Sequence, residues 1–251
     1  LRLRIGALGA VLAVVALVVG ACSGGAASPT PTGPSVVVTT PVLGAVVRDL
    51  VGDRAAVTVL MGNGVDPHDW SPSAKDIERE TNADLVVANG LGLEESLERT
   101  LDEAEKAGVA VFQATDHVTV REAGEEGPAD EHGAGDPHFW VDPVAMQAVV
   151  GALVPELAAA GVDVADRGAD LDGRLAALDA EVRETLATVP ETTRKLVTGH
   201  ESMGYFADRY GFALVGTVIP GLSSQGEVSA GELAELKAAI VAKFACENGL
   251  A

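Results

Sequence analysis

The chain has 251 residues and carries 37 Asp and Glu against 17 Lys and Arg, a formal net charge of −20 at pH 7. Phosphate backbones are held by clusters of Lys and Arg, so this balance excludes nucleic acid as a partner, and it favours solubility and the company of cations. Two cysteines exclude a disulfide framework, and 2 Trp, 2 Tyr and 5 Phe leave little to line a large organic pocket.

The first residues, Leu1-Arg2-Leu3-Arg4, are a basic start followed by an apolar run from Ile5 to Val19 and then Gly20-Ala21-Cys22. This is the pattern of a secretory signal ending in a lipobox, with residues 1–22 as the signal and Cys22 as the lipidated residue. The run is shorter than the ~20 apolar residues of a spanning helix, so the expected membrane attachment is through the lipid alone. Residues 23–34, rich in Ser, Gly, Thr and Pro, have no apolar periodicity and read as a flexible tether.

From Ser35 the signals alternate between strand and helix. Ser35-Val36-Val37-Val38-Thr39-Thr40 is β-branched, Pro41 to Val51 is helical, and Ala56-Val57-Thr58-Val59-Leu60 is a second strand. A Gly- and Pro-containing loop then carries His68, and Ser73-Ala74-Lys75-Asp76 opens a helix with a capping box. Leu85 to Ala88 and Val109 to Phe112 are further strands, with a helix from about Glu94 to Ala107 between them. Arg121 to Gly135 is an acidic loop in which Glu125, Glu126, Asp130, Glu131 and His132 are expected to lie in solvent, and His117 reads as a loop or strand-end histidine. Pro143 to Ala160 is helical, and a second helical pattern from Asp163 to Thr188 is long enough to act as a strut. Lys195 to Thr198 and Phe212 to Val215 are strands, with a helix through Tyr205 and Tyr210 between them; Lys243 to Glu247 resembles the start of another strand. Cys246 is expected to be a buried small residue.

Alternation of this kind implies an α/β fold: two lobes, each a parallel sheet flanked by helices, joined by a long rigid helix. The expected organisation is an N-terminal lobe over 35–160, a linking helix over 161–190 and a C-terminal lobe over 191–251. The second lobe looks truncated, with about two strands where the first has four.

Three histidines stand in short turn-like motifs: Asp66-Pro67-His68, Asp136-Pro137-His138 and Thr198-Gly199-His200-Glu201. Proline fixes φ and the entry angle of the next residue, and neutral imidazole is the commonest ligand for zinc and similar ions. A metal site built from His68, His138 and His200 is therefore expected, with Asp66, Asp136, Asp142 and Glu201 as acceptors behind the ligands or turn formers. A catalytic zinc centre also uses three histidines, but the chain has no His-Glu-x-x-His helix, and Glu201 is the only acidic residue next to a ligand. An exported zinc hydrolase is thus the weaker alternative, and the chain is read as no enzyme.

Four segments, in order, resemble the substrate-binding lipoproteins of bacterial ABC importers for zinc and manganese. They are Gly64-Val65-Asp66-Pro67-His68-Asp69-Trp70-Ser71-Pro72, the stretch from Ala83 to Glu94, Asp136-Pro137-His138-Phe139-Trp140-Val141-Asp142-Pro143, and Thr198 to Phe206. The resemblance implies an extracytoplasmic receptor that takes a transition-metal ion between two lobes and delivers it to an importer permease. His68 and His138 would come from the first lobe and His200 from the second. Nitrogen-rich ligation leans to Zn2+, with Mn2+ possible, and manganese or iron receptors or an adhesin on the same frame are the alternatives. The family's fourth ligand, an acidic residue late in the second lobe, has no counterpart before Ala251.

Overall fold

The structure is a computed structural model, which describes residues 33–122 and 135–245; Cys22 and the signal, most of the tether, Glu125, Glu126, Asp130, Glu131 and His132 of the acidic loop, and Cys246 lie outside the described residues. Four parallel strands, β1 (Ser35–Val38), β2 (Ala56–Val59), β3 (Leu85–Ala88) and β4 (Ala110–Gln113), form one sheet in the order β2-β1-β3-β4. β1 and β3 are central and read Ser-Val-Val-Val and Leu-Val-Val-Ala because helices cover both faces of a parallel sheet and leave no solvent side. A second sheet pairs β5 (Lys195–Thr198) and β6 (Ala213–Thr217), also in parallel. The β1–β2 register begins with Ser35 opposite Ala56, where the strand signals begin, and the Ala56 N–H donates to the Pro34 carbonyl at 2.8 Å.

The first sheet is sandwiched between two helical layers. On one face α1 (Pro41–Val51) and α4 (Pro143–Ala159) bury Leu43, Val47, Leu50, Val149, Val150, Leu153 and Leu157 against Val36, Val38, Leu85 and Val87. On the other, Leu101 of α3 (Glu98–Lys106) and Leu97 just before it cover Val37, Val86 and Ala88, and α2 (Ala74–Thr81) packs beside α3. Fully burying each such side chain is worth about 1.5–3 kcal/mol. Helix ends follow the local chemistry. The Thr40 hydroxyl caps α1 with Pro41 at the first turn, and Ser73 and Asp76 form the expected reciprocal capping box on α2.

The segment read as one helix from Glu94 to Ala107 is divided: a 3₁₀ turn, Glu95–Leu97, precedes α3. Glu94 is withdrawn from the helix to bond backbone, as described below. The strut is α5 (Ala165–Leu186), whose sequence is mostly exposed and whose anchors are few. Gly168 faces α4 so closely that a Cβ there would lie 2.5 Å from Val154 Cγ2, which sets the crossing of the two helices. Arg174 pairs with Asp49 and Arg167 donates to the Asp49 carbonyl at 2.9 Å, pinning the first half of α5 to α1. Helices α6 (Gly204–Tyr210) and α7 (Ala230–Ala245) flank the second sheet. Lys243 to Ala245 close α7 and do not open a strand: Ala230–Ala245 is rich in Ala, Leu, Glu and Lys, and that helix propensity carries through Phe244.

Candidate metal centre

The His68 and His200 loops leave the carboxyl ends of parallel strands, where open α/β sheets gather ligands. His68 follows β2, His138 lies beyond β4, and His200 follows β5. The first two loops repeat one device. Asp66 Oδ1 accepts from the His68 N–H at 3.0 Å and Asp136 Oδ1 from the His138 N–H at 2.9 Å, so an aspartate two residues upstream closes each turn and aims the imidazole. The third turn is closed differently, with the Thr198 hydroxyl donating to the His200 carbonyl at 2.7 Å.

The three rings converge. Their centroids lie 5.5 Å apart for His68–His138, 5.5 Å for His68–His200 and 5.1 Å for His138–His200, and one nitrogen from each falls within 4.8 Å of the others. His138 and His200 face each other through Nε2 atoms 3.2 Å apart. Two nitrogens bound to one tetrahedral zinc at ~2.0–2.1 Å sit about 3.3 Å apart, so this pair already has a chelating separation.

Asp136 is fully buried, and its Oδ1 lies 2.8 Å from His138 Nδ1. The carboxylate takes the Nδ1–H and leaves the Nε2 lone pair aimed at His200, the arrangement by which a carboxylate fixes a metal-ligand tautomer. Burial, with His138 alongside, holds the His200 pKa below the ordinary histidine value, against the opposing pull of Asp66 and Asp136. His200 is therefore neutral, and ready to ligate, at neutral pH. Burial alone would raise Asp66, but the Ser224 hydroxyl, which donates to Oδ2 at 2.5 Å, and the His68 amide outweigh it and keep the carboxyl below its usual range.

The other two acidic residues named from the sequence do not meet the three rings. Asp142 caps α4 by accepting from the Val144 N–H at 2.8 Å and lies 3.3 Å from Arg209 Nε. The Glu201 N–H donates to the Gly221 carbonyl at 2.9 Å, and Glu201 is not among the groups that could share an ion. His117 stacks on Phe112 at 4.6 Å, away from the three rings.

Several supporting residues were not legible as such. Buried Glu94 accepts from the Thr39 hydroxyl at 2.5 Å and from the Asn89 and Gly90 N–H groups at 2.9 and 3.3 Å, and Asn89 Nδ2 donates to the Pro137 carbonyl at 3.0 Å. This chain of bonds holds the backbone just before His138. Trp140 packs edge-on to His138 with centroids 5.3 Å apart. On the opposite side Tyr205 donates to the Asp136 carbonyl at 3.1 Å. Glu94 and Tyr205 stand inside segments that the sequence singles out, but their spacing alone does not say what they hold.

The chain is 28% identical over 232 residues to the manganese-binding lipoprotein MntA of Halalkalibacterium halodurans, covering 90% of this chain and 74% of that protein. It is 32% identical over 208 residues to the zinc-binding protein TroA of Treponema pallidum, covering 82% of this chain and 66% of TroA. Among solved structures, the periplasmic zinc-binding protein TroA from Treponema pallidum superposes with a TM-score of 0.70 at 29% identity, over 84% of this chain and 75% of that one. The profile of ZnuA, zinc-uptake complex component A, periplasmic, matches residues 36–245, and the chain belongs to that family.

Proposed function

We propose that this protein is an extracytoplasmic receptor for a transition-metal ion, zinc in preference to manganese, which it delivers to the permease of an ABC importer. His68, His138 and His200 are the ligands in this reading, and Asp136 orients His138. The observation that carries it is the convergence of three imidazoles from three separate loops, two of them 3.2 Å apart through their Nε2 atoms. Three neutral nitrogen donors suit zinc better than manganese, which prefers oxygen. The resemblance to MntA over most of the chain keeps manganese as the second reading. Family membership supports a transport receptor rather than an enzyme.

In the same reading residues 35–160 and 191–251 are the two lobes, 161–190 link them, and the ion enters between His138 and His200. Export behind residues 1–22 and a lipid on Cys22 agree with relatives named as lipoproteins or periplasmic proteins. Among the described residues no helix is long and apolar enough to cross a membrane.

The test is competition between Zn2+ and Mn2+ against a fluorescent chelator, with His68→Ala, His138→Ala and His200→Ala alongside. One zinc per chain, displaced weakly by manganese, and a loss of at least about 100-fold in affinity for each substitution are expected. Unchanged affinity in His138→Ala and His200→Ala would overturn the ligand assignment, and tighter manganese binding would overturn the choice of metal.

A further inference from the structure

We propose that Arg121 is a positioning residue for metal retention: it ties Asp136, the carboxylate behind His138, to α6, the helix that follows His200. The two ligand loops are thereby held in register from opposite sides of the ion. The proposal rests on the receptor reading above.

Arg121 meets both sides at once. Its Nε donates to Asp208 Oδ2 on α6 at 2.8 Å, and its backbone N–H donates to the Tyr205 hydroxyl at 3.0 Å. Its Nη1 lies 3.5 Å from Asp136 Oδ2 and donates to the Glu122 carbonyl at 3.3 Å. Asp136 returns the contact through its own N–H, which donates to the Arg121 carbonyl at 2.8 Å, while Tyr205 donates to the Asp136 carbonyl. Asp136 Oδ2 is buried and has no hydrogen bond, so the Arg121 charge is what compensates it. A buried carboxylate deprived of its cation is strongly disfavoured, and the one lost here would be the group that holds the His138 tautomer.

Gly204 reveals how closely the contact is built. A Cβ at this first residue of α6 would lie 2.5 Å from Arg121 Nη1, 2.6 Å from Cζ and 2.7 Å from Nε. The guanidinium lies against the backbone of α6 in a space that only glycine leaves. Gly204→Ala therefore displaces Arg121 without removing any polar group, and the clash falls on the end of a flexible side chain. The guanidinium charge stays in the chain, so the substitution separates the placement of Arg121 from its charge.

The experiment is stopped-flow release of Zn2+ into excess chelator, with metal-free melting curves, for the wild-type chain, Arg121→Ala, Arg121→Lys and Gly204→Ala. Release is expected to accelerate about tenfold or more in Arg121→Ala and in Gly204→Ala, with partial recovery in Arg121→Lys. The association rate should change much less, and the metal-free midpoint should fall less in Gly204→Ala, which keeps the charge, than in Arg121→Ala, which removes it. Unchanged release in Gly204→Ala, or a metal-free midpoint that falls in step with the loss of retention, would overturn the positioning role. A wild-type chain that binds no zinc would instead bring down the receptor reading itself, before any variant is compared.

Discussion

Asp66 and Asp136 occupy the same place in the first two histidine motifs yet do different work, and burial is the reason. Both close a turn on the amide two residues ahead. Asp136 is fully buried and also accepts from the His138 ring, whereas Asp66 is turned toward the Ser224 hydroxyl. Asp136→Asn keeps the shape but presents an amide where the ring needs an acceptor with full charge. Zinc affinity is expected to fall about 10–100-fold in a chelator competition, with little change in the metal-free fold. The pH response also belongs to this scale. The folded-state pKa of His200 is lowered, chiefly by burial, so on acidification the unfolded chain takes the proton first. The stability this histidine contributes is complete above its unfolded value near 6.5 and is lost as pH falls through the lower folded value. Metal-free melting midpoints should therefore drop on passing from pH 7.5 to pH 5, and His200→Gln should reduce that drop. Zinc affinity should fall over the same window, because protons compete for the ligand nitrogens.

Helix α6 is short, yet it is where most of the polar contacts between the two sheets' surroundings end. Tyr205 and Asp208 reach Asp136 and Arg121, and Arg209 reaches Asp142 at 3.3 Å and Asp179 of the strut at 3.0 Å. Tyr210 donates to the same Asp179 at 3.1 Å, and its pKa is pushed up to about 12, first by burial and then by the Asp179 carboxylate. Asp179→Asn should lower the Tyr210 pKa part of the way back toward its ordinary value of about 10, read by ultraviolet absorbance against pH. An unmoved titration would mean that burial alone sets it. The exposed face of α5 makes sense in these terms: a strut held at Asp49 by one half and at Asp179 by the other needs specific anchors more than a buried stripe. Packing dominates in α4, where Leu153 is fully buried against the sheet, and Leu153→Ala should cost about 2–5 kcal/mol in denaturant unfolding.

In the proposed reading the ligands come from loops far apart in sequence and meet only in the folded chain, so at the scale of the whole molecule metal and stability are linked. Zinc at 100 times its Kd should stabilise the chain by roughly 2.7 kcal/mol, seen as a concentration-dependent rise in the melting midpoint that chelator reverses. The strands, most helix ends and the three histidine motifs were legible in the amino-acid sequence. Each of those is a local fact: β-branched runs that suit a sheet covered on both faces, Thr40 and Ser73 as caps, and Asp-Pro pairs that stiffen a turn. The sequence misjudged Glu94 and Lys243 to Ala245, one drawn out of a helix by tertiary hydrogen bonds and the other kept in a helix where the apolar pattern suggested a strand. The tertiary packing is what brings His138 and His200 to 3.2 Å and puts Asp136, not Asp142, behind a histidine ring. It alone joined Arg121 to Asp208, 87 residues away. Such contacts depend on how two sheets and a strut pack, and side-chain chemistry in a linear pattern carries no record of distances set by that packing.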